Sequence, residues 1–148
     1  SVLYLHQTPL LETGQTWRSS HPRHYTPQVA QGHHYSRSPR PLSTELKTAT
    51  FVAHNAKFDL GFLRAEAQRC GHPLVVEQPI CTLTLSRSLD PNKAHPHNLR
   101  QLAIRYGITD VPNHDALADA IVTARLLPML LAKANIAEAS QLATIAVK

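Results

Sequence analysis

Phe51-Val52-Ala53-His54-Asn55-Ala56-Lys57-Phe58-Asp59 is the stretch on which the fold turns. Its first residues are apolar without alternation up to His54, the pattern of a central strand covered on both faces. Asn55 and Ala56 make a turn. A helix follows with Phe58, Phe62 and Leu63, then Glu66 and Arg69, and closes at Gly71 as a left-handed C-terminal cap. Asp59 therefore stands at the start of a helix that comes directly off a strand. Ligands of α/β sheets bind at the carboxyl ends of the strands. A carboxylate in that place binds a hard cation such as Mg²⁺ or Mn²⁺ through oxygen, or stabilises the helix N-terminus by its charge alone.

The flanking sequence continues the alternation. Ser43 caps a short helix with Glu45 and Leu46 in its first turns. Pro79-Ile80-Cys81-Thr82-Leu83 predicts a second strand, and Leu83 to Leu89 a short helix ended by Asp90-Pro91. Residues 91–96 form a loop, and Asn98 to Tyr106 a helix closed by Gly107. Asp115 caps a long helix from Ala116, with Leu117, Ala120, Ile121, Ala124 and Leu127 on one stripe. Pro128 is expected to kink or end it, and a last helix runs from Ile136 or Ala137 to Ile145. Strands alternating with helices indicate an α/β sheet domain.

With 148 residues the chain holds one hydrophobic core. Its formal charge of +5 suits a polyanionic partner. Cys70 and Cys81 have no paired spacing, which gives neither a zinc knuckle nor a disulfide framework and points to a reducing, cytoplasmic setting. The longest apolar runs fall far short of the roughly 18 residues of a membrane span. Residues 1–42 differ from 43–148: they hold five of the ten histidines, five of the eleven prolines and four arginines, with Glu12 as the only acidic residue. Apart from a short strand over Ser1 to Leu5, that composition predicts an irregular, poorly ordered segment. Its His and Arg side chains belong to a solvated tail or serve nucleic-acid contact or metal capture, and a solvated tail is favoured because no His spacing repeats a ligand pattern.

His114 and Asp119 form the second constellation. Five residues on an ideal helix subtend about 140°, so the two do not point the same way from one helix. With Asp115 as N-cap, His114 lies on the preceding loop and Asp119 projects from the first turns. A loop histidine there swings towards whatever Asp119 binds. Its ordinary pKa suits proton abstraction from water near neutrality.

His54-Asn55-Ala56-Lys57-Phe58-Asp59 resembles the second motif of the DEDD superfamily of 3′–5′ exonucleases. His114 to Asp119 resembles the third motif of its histidine-type branch, which includes the proofreading subunit of bacterial DNA polymerase III. Cys81 to Arg87 and Asn98 to Ile108 resemble the segments that family members carry between the two. The resemblance implies a ribonuclease H-like exonuclease fold, a mixed sheet flanked by helices. It implies hydrolysis of phosphodiesters from the 3′ end of single-stranded DNA or RNA, two divalent cations (Mg²⁺ or Mn²⁺) and association with a DNA polymerase subunit. Asp59 and Asp119 would be metal ligands and His114 the general base; Phe58 would be buried to fix the motif, and Asn55 would hold the turn or approach the substrate.

The family's first motif, an Asp-x-Glu pair on its first strand, is not found. No Asp precedes Asp59, and only Glu12 and Glu45 are acidic there. Two placements compete. In one, Leu11-Glu12-Thr13-Gly14 is the end of that motif, with Glu12 a third ligand and Leu10 at the partner position. In the other, His24-Tyr25-Thr26-Pro27-Gln28 occupies a later turn and the first strands are truncated or degenerate; the second is favoured. A non-catalytic nucleic-acid-binding module and an inactive fragment are the alternatives to an active exonuclease.

Overall fold

The computed structural model describes residues 2–6, 42–47, 49–109 and 116–146. Three strands form one mixed sheet in the order β1-β2-β3. Strand β1 (Val2–His6) runs antiparallel to β2 (Ala49–Ala53), with Val2 opposite Ala53 and His6 opposite Ala49. Strand β3 (Ile80–Cys81) runs parallel to β2, so both end on the same side. Helix α1 (Leu42–Glu45) precedes β2; it begins one residue before Ser43, which therefore lies inside the helix and is not its cap.

The apolar run around Phe51 is central, as its composition predicts. Ala49, Phe51 and Ala53 turn one face towards helix α2 (Ala56–Arg69), where they pack with Ala56, Leu60 and Cys81. Val52 turns the other way, onto Ala124 and Leu127 of α5 (Ala116–Lys133) together with Ile80. Helices α3 (Thr82–Ser88) and α4 (Leu99–Arg105) complete a second core, in which Leu85, Leu102 and Ile108 meet Val122, Leu126 and Leu130.

Further expectations are corrected. Ala56 is the first residue of α2 rather than part of the turn. Phe58, expected to be buried, is 74% exposed; Phe62, one turn on, is 68% exposed. The face of α2 on the sheet is instead Ala56, Leu60, Leu63 and Ala67, a helical repeat whose alanines allow close approach. Pro128 does not end α5, which continues to Lys133. Leu126, Leu127 and Leu130 are buried on both sides of it, and burying three leucines outweighs the ~3 kcal/mol cost of an interior proline. In the same helix the buried set is wider than the predicted stripe; Leu117 stays 38% exposed. The last helix is a single 3₁₀ stretch, Ala139–Thr144, opened by a capping box between Glu138 and Gln141. Ala146 then bridges Ile80, which holds the segment on the sheet edge.

Helix ends follow local chemistry. Gly71 at φ 72° lets its own N–H reach Gln68 O and that of His72 reach Ala67 O, closing α2. Asn98 caps α4, its Oδ1 accepting from the Gln101 N–H at 2.9 Å. Asn98→Ala is expected to cost about 1 kcal/mol, read as a lower urea midpoint at unchanged slope.

Candidate active site

The parallel register brings the ends of β2 and β3 together, and both strands pass at once into helices. After β2, Asn55 takes the left-handed conformation (φ 71°) and the Phe58 N–H bonds back to its carbonyl at 2.9 Å. Asn is one of the few residues that tolerate this conformation. The tight turn sets Asp59 in the first turn of α2, where it is partly buried. The Cys81 thiol at the start of α3 is held below the ordinary range. Burial would raise it, but Thr84 and the backbone N–H groups of Ala56 and Asn55 outweigh that.

His54 is the junction between these elements. Its Nδ1 lies 3.0 Å from Thr82 Oγ1 on α3, and its ring also bonds the backbone of His97 in the loop before α4. Burial is the main reason its pKa falls from 6.5 to about 4. The His97 backbone and the charge of Asp119 oppose that fall, while Arg87 and His97 add to it. Neutral imidazole is therefore the resting form of His54 at pH 7.

Asp119 lies in the first turn of α5. The contacts of Ala124 and Leu127 with Val52 and Ile80 fix that helix against the sheet, and Asp119 acts electrostatically on His54. Asp119 Oδ1 is buried and has no hydrogen-bond partner among the described residues. An unsatisfied buried polar atom costs about 1–3 kcal/mol, more when charged. Asp59 thus follows the carboxyl end of the central strand in the first turn of α2, and Asp119 acts on His54 at that same end; carboxylate oxygens are the donor type that a hard divalent cation takes. Among the described residues no three His, Cys, Asp or Glu side chains converge. His114, Asp115 and Glu12 lie outside the described residues.

A second group of side chains gathers in the loop between α3 and α4. His97 Nε2 lies 3.2 Å from Asp90 Oδ2 and its Nδ1 3.1 Å from Ser86 Oγ. Asp90 also accepts the N–H groups of Ala94 and His95, at 3.1 and 3.0 Å. Asp90-Pro91 marks a helix end, but nothing in its spacing foretells that the carboxylate folds the following loop around itself.

A mixed sheet whose central strand feeds one helix-borne carboxylate and packs under the helix of another is the frame of a ribonuclease H-like nuclease. Residues 42–127, more than half of the chain, match the family model RNase T, described as exonuclease. The chain belongs to that exonuclease family, within the DEDD superfamily. Among curated relatives, a protein of Mycobacterium tuberculosis assigned as a bifunctional exonuclease/endonuclease is 40% identical over 84 residues, covering 56% of this chain and 13% of its own length. The PolC-type DNA polymerase III of Streptococcus suis is 37% identical over 100 residues, 65% of this chain and 7% of the polymerase. That of Streptococcus thermophilus is 41% identical over 81 residues, 55% of this chain and 6% of the polymerase. The chain thus spans only a small part of these relatives. No solved structure matches it. Among the described residues no helix is long and apolar enough to cross a membrane.

Proposed function

We propose that residues 43–148 form the later part of a 3′–5′ exonuclease domain, preceded by an atypical segment over 1–42, that hydrolyses phosphodiesters at the 3′ end of single-stranded DNA or RNA. The observation that carries this reading is the buried, unpartnered Asp119 Oδ1 on the helix packed over the strand that leads to Asp59. Asp59 and Asp119 are the carboxylates that would hold divalent cations, Mg²⁺ or Mn²⁺, with Glu12 as a candidate third. When bound, such ions stabilise the attacking and leaving oxygens of an in-line displacement at phosphorus. His114 accepts the proton of the attacking water, a task to which imidazole is suited near neutrality. Asn55, at the turn beside Asp59, approaches the substrate. His54 stays neutral, so it brings no positive charge to compete with cations at Asp119. A cytoplasmic setting and association with a DNA polymerase subunit belong to the same reading and draw on the polymerase relatives.

The test is a 5′-labelled single-stranded oligonucleotide incubated with the chain and Mn²⁺. Stepwise shortening from the 3′ end is expected, blocked by a 3′-terminal phosphorothioate. Internal cleavage, or shortening that survives in Asp59→Ala, would sink the proposal. A second reading, a nucleic-acid-binding module without cleavage, is favoured by the basic balance of the chain, a formal charge of +5. It predicts salt-sensitive binding of the same oligonucleotide with no products.

A further inference from the structure

The loop between α3 and α4 encloses an open cavity of about 530 Å³, lined by Arg87, Asp90, Pro91, Lys93 and His97. We propose that this cavity binds a backbone phosphate of the single strand, upstream of the 3′ terminus held at Asp59 and Asp119; the assignment rests on the exonuclease reading.

The cation count favours an anion. Arg87 and Lys93 are exposed, and neither has an ion-pair partner among the described residues. The one acidic wall residue is already engaged: Asp90 accepts from Ala94 N, His95 N and His97 Nε2, and its side chain is only 12% exposed. Asp90 lines the cavity, but its oxygens are already engaged by these donors, which leaves Arg87 and Lys93 as the cations without a counter-charge of their own among the described residues. The same three bonds shape the rim. Lys93 sits at φ 52°, a left-handed conformation that is costly for a long side chain, and its N–H bonds to the Asp90 carbonyl at 3.0 Å. Lys93 thus lines the cavity from a left-handed backbone that this bond helps to hold. Arg87 adds a planar fork that takes two phosphate oxygens, Lys93 a point charge, and Pro91 an apolar surface for a sugar. The position agrees with a strand leaving the candidate centre. Arg87 and His97 both act electrostatically on His54, which Asp119 also reaches.

The test measures anisotropy of a 5′-fluorescein single-stranded DNA, with an RNA copy in parallel, on the full chain in EDTA. Arg87→Ala/Lys93→Ala is expected to weaken binding about 10-fold and to flatten the salt dependence by roughly 0.7–1.4 in log–log slope. Arg64→Ala/Lys133→Ala, which removes the same charge elsewhere, should leave Kd within about 2-fold. Equal losses in the two double variants, or an unchanged Kd in the first, would overturn the assignment. So would full displacement of the probe by a nucleoside monophosphate, which would identify a mononucleotide pocket instead. Failure of the cavity leaves nucleotide release intact. If the exonuclease reading fails instead, there is binding sensitive to Arg87 and Lys93 but no release. A chain that binds neither strand refutes the cavity directly.

Discussion

Asp119→Asn is expected to reduce Mn²⁺-dependent nucleotide release by at least about 100-fold, the scale on which one charge-stabilising group is lost from an active site. The metal-free variant should nevertheless be at least as stable as the parent chain. Oδ1 is buried without a partner among the described residues, so that oxygen bears a desolvation penalty with no compensating bond. A neutral amide of the same shape loses less on burial. Stability and activity therefore move in opposite directions, as expected of a residue kept for its charge rather than for packing. Metal binding supplies a second readout. A ligand present at 100 times its Kd stabilises the native state by about 2.7 kcal/mol. The parent chain should melt higher with saturating Mn²⁺, and the Asn variant should lose most of that increment. An increment of the same size in both proteins would exclude Asp119 as a ligand.

The strand–turn–helix around Asp59 was legible because local and global signals coincide there. A continuous apolar run, a turn residue that tolerates positive φ and a glycine stop all demand the same structure. Phe58 shows where this ends. Bulk and hydrophobicity argue for burial, but the position on the helix decides, and Ala56 and Leu60 own the sheet-facing side. Pro128 is the converse case: of the kink and the stop that its ring allows, the stop is overridden by leucines on either side. The 3₁₀ stretch near the C-terminus is set by a capping box and a sheet-edge bridge, and helical periodicity does not distinguish it from an α-helix. At the site, Asp59 and Asp119 stand out in the sequence by their places at helix starts and by the resemblance of the two runs to family motifs. The roles of Thr82, Asp90 and His97 depend on contacts over 28 and 11 residues and a loop that folds on one carboxylate, which no short pattern encodes.

Stability should fall as pH drops from 7.5 to 5, with His54 as the main cause. Its pKa in the folded chain is about 4, against 6.5 for an exposed histidine. Between those values the unfolded chain binds a proton that the folded chain refuses, so acid favours unfolding. No penalty exists above pH 6.5. It grows through the window and is complete below about pH 4, where it amounts to up to about 3 kcal/mol. At pH 5 the loss should be about 2 kcal/mol, read from urea unfolding at the two pH values. Asp90 also lies below its ordinary pKa: burial would raise it, but the N–H donors of Ala94 and His95 prevail. A depressed carboxylate contributes stability above its unfolded pKa and loses it in more acidic solution, so its window lies below pH 4 and leaves the His54 interval clear. His54→Gln keeps a polar group near Thr82 without a proton to titrate. It should be less stable at pH 7.5, through the altered bonds to Thr82 and His97, and should lose most of the slope between pH 7.5 and 5. If the slope survives in His54→Gln, the ring is not the group excluded from protonation, and the neutral junction beside Asp119 has to be assigned to another residue.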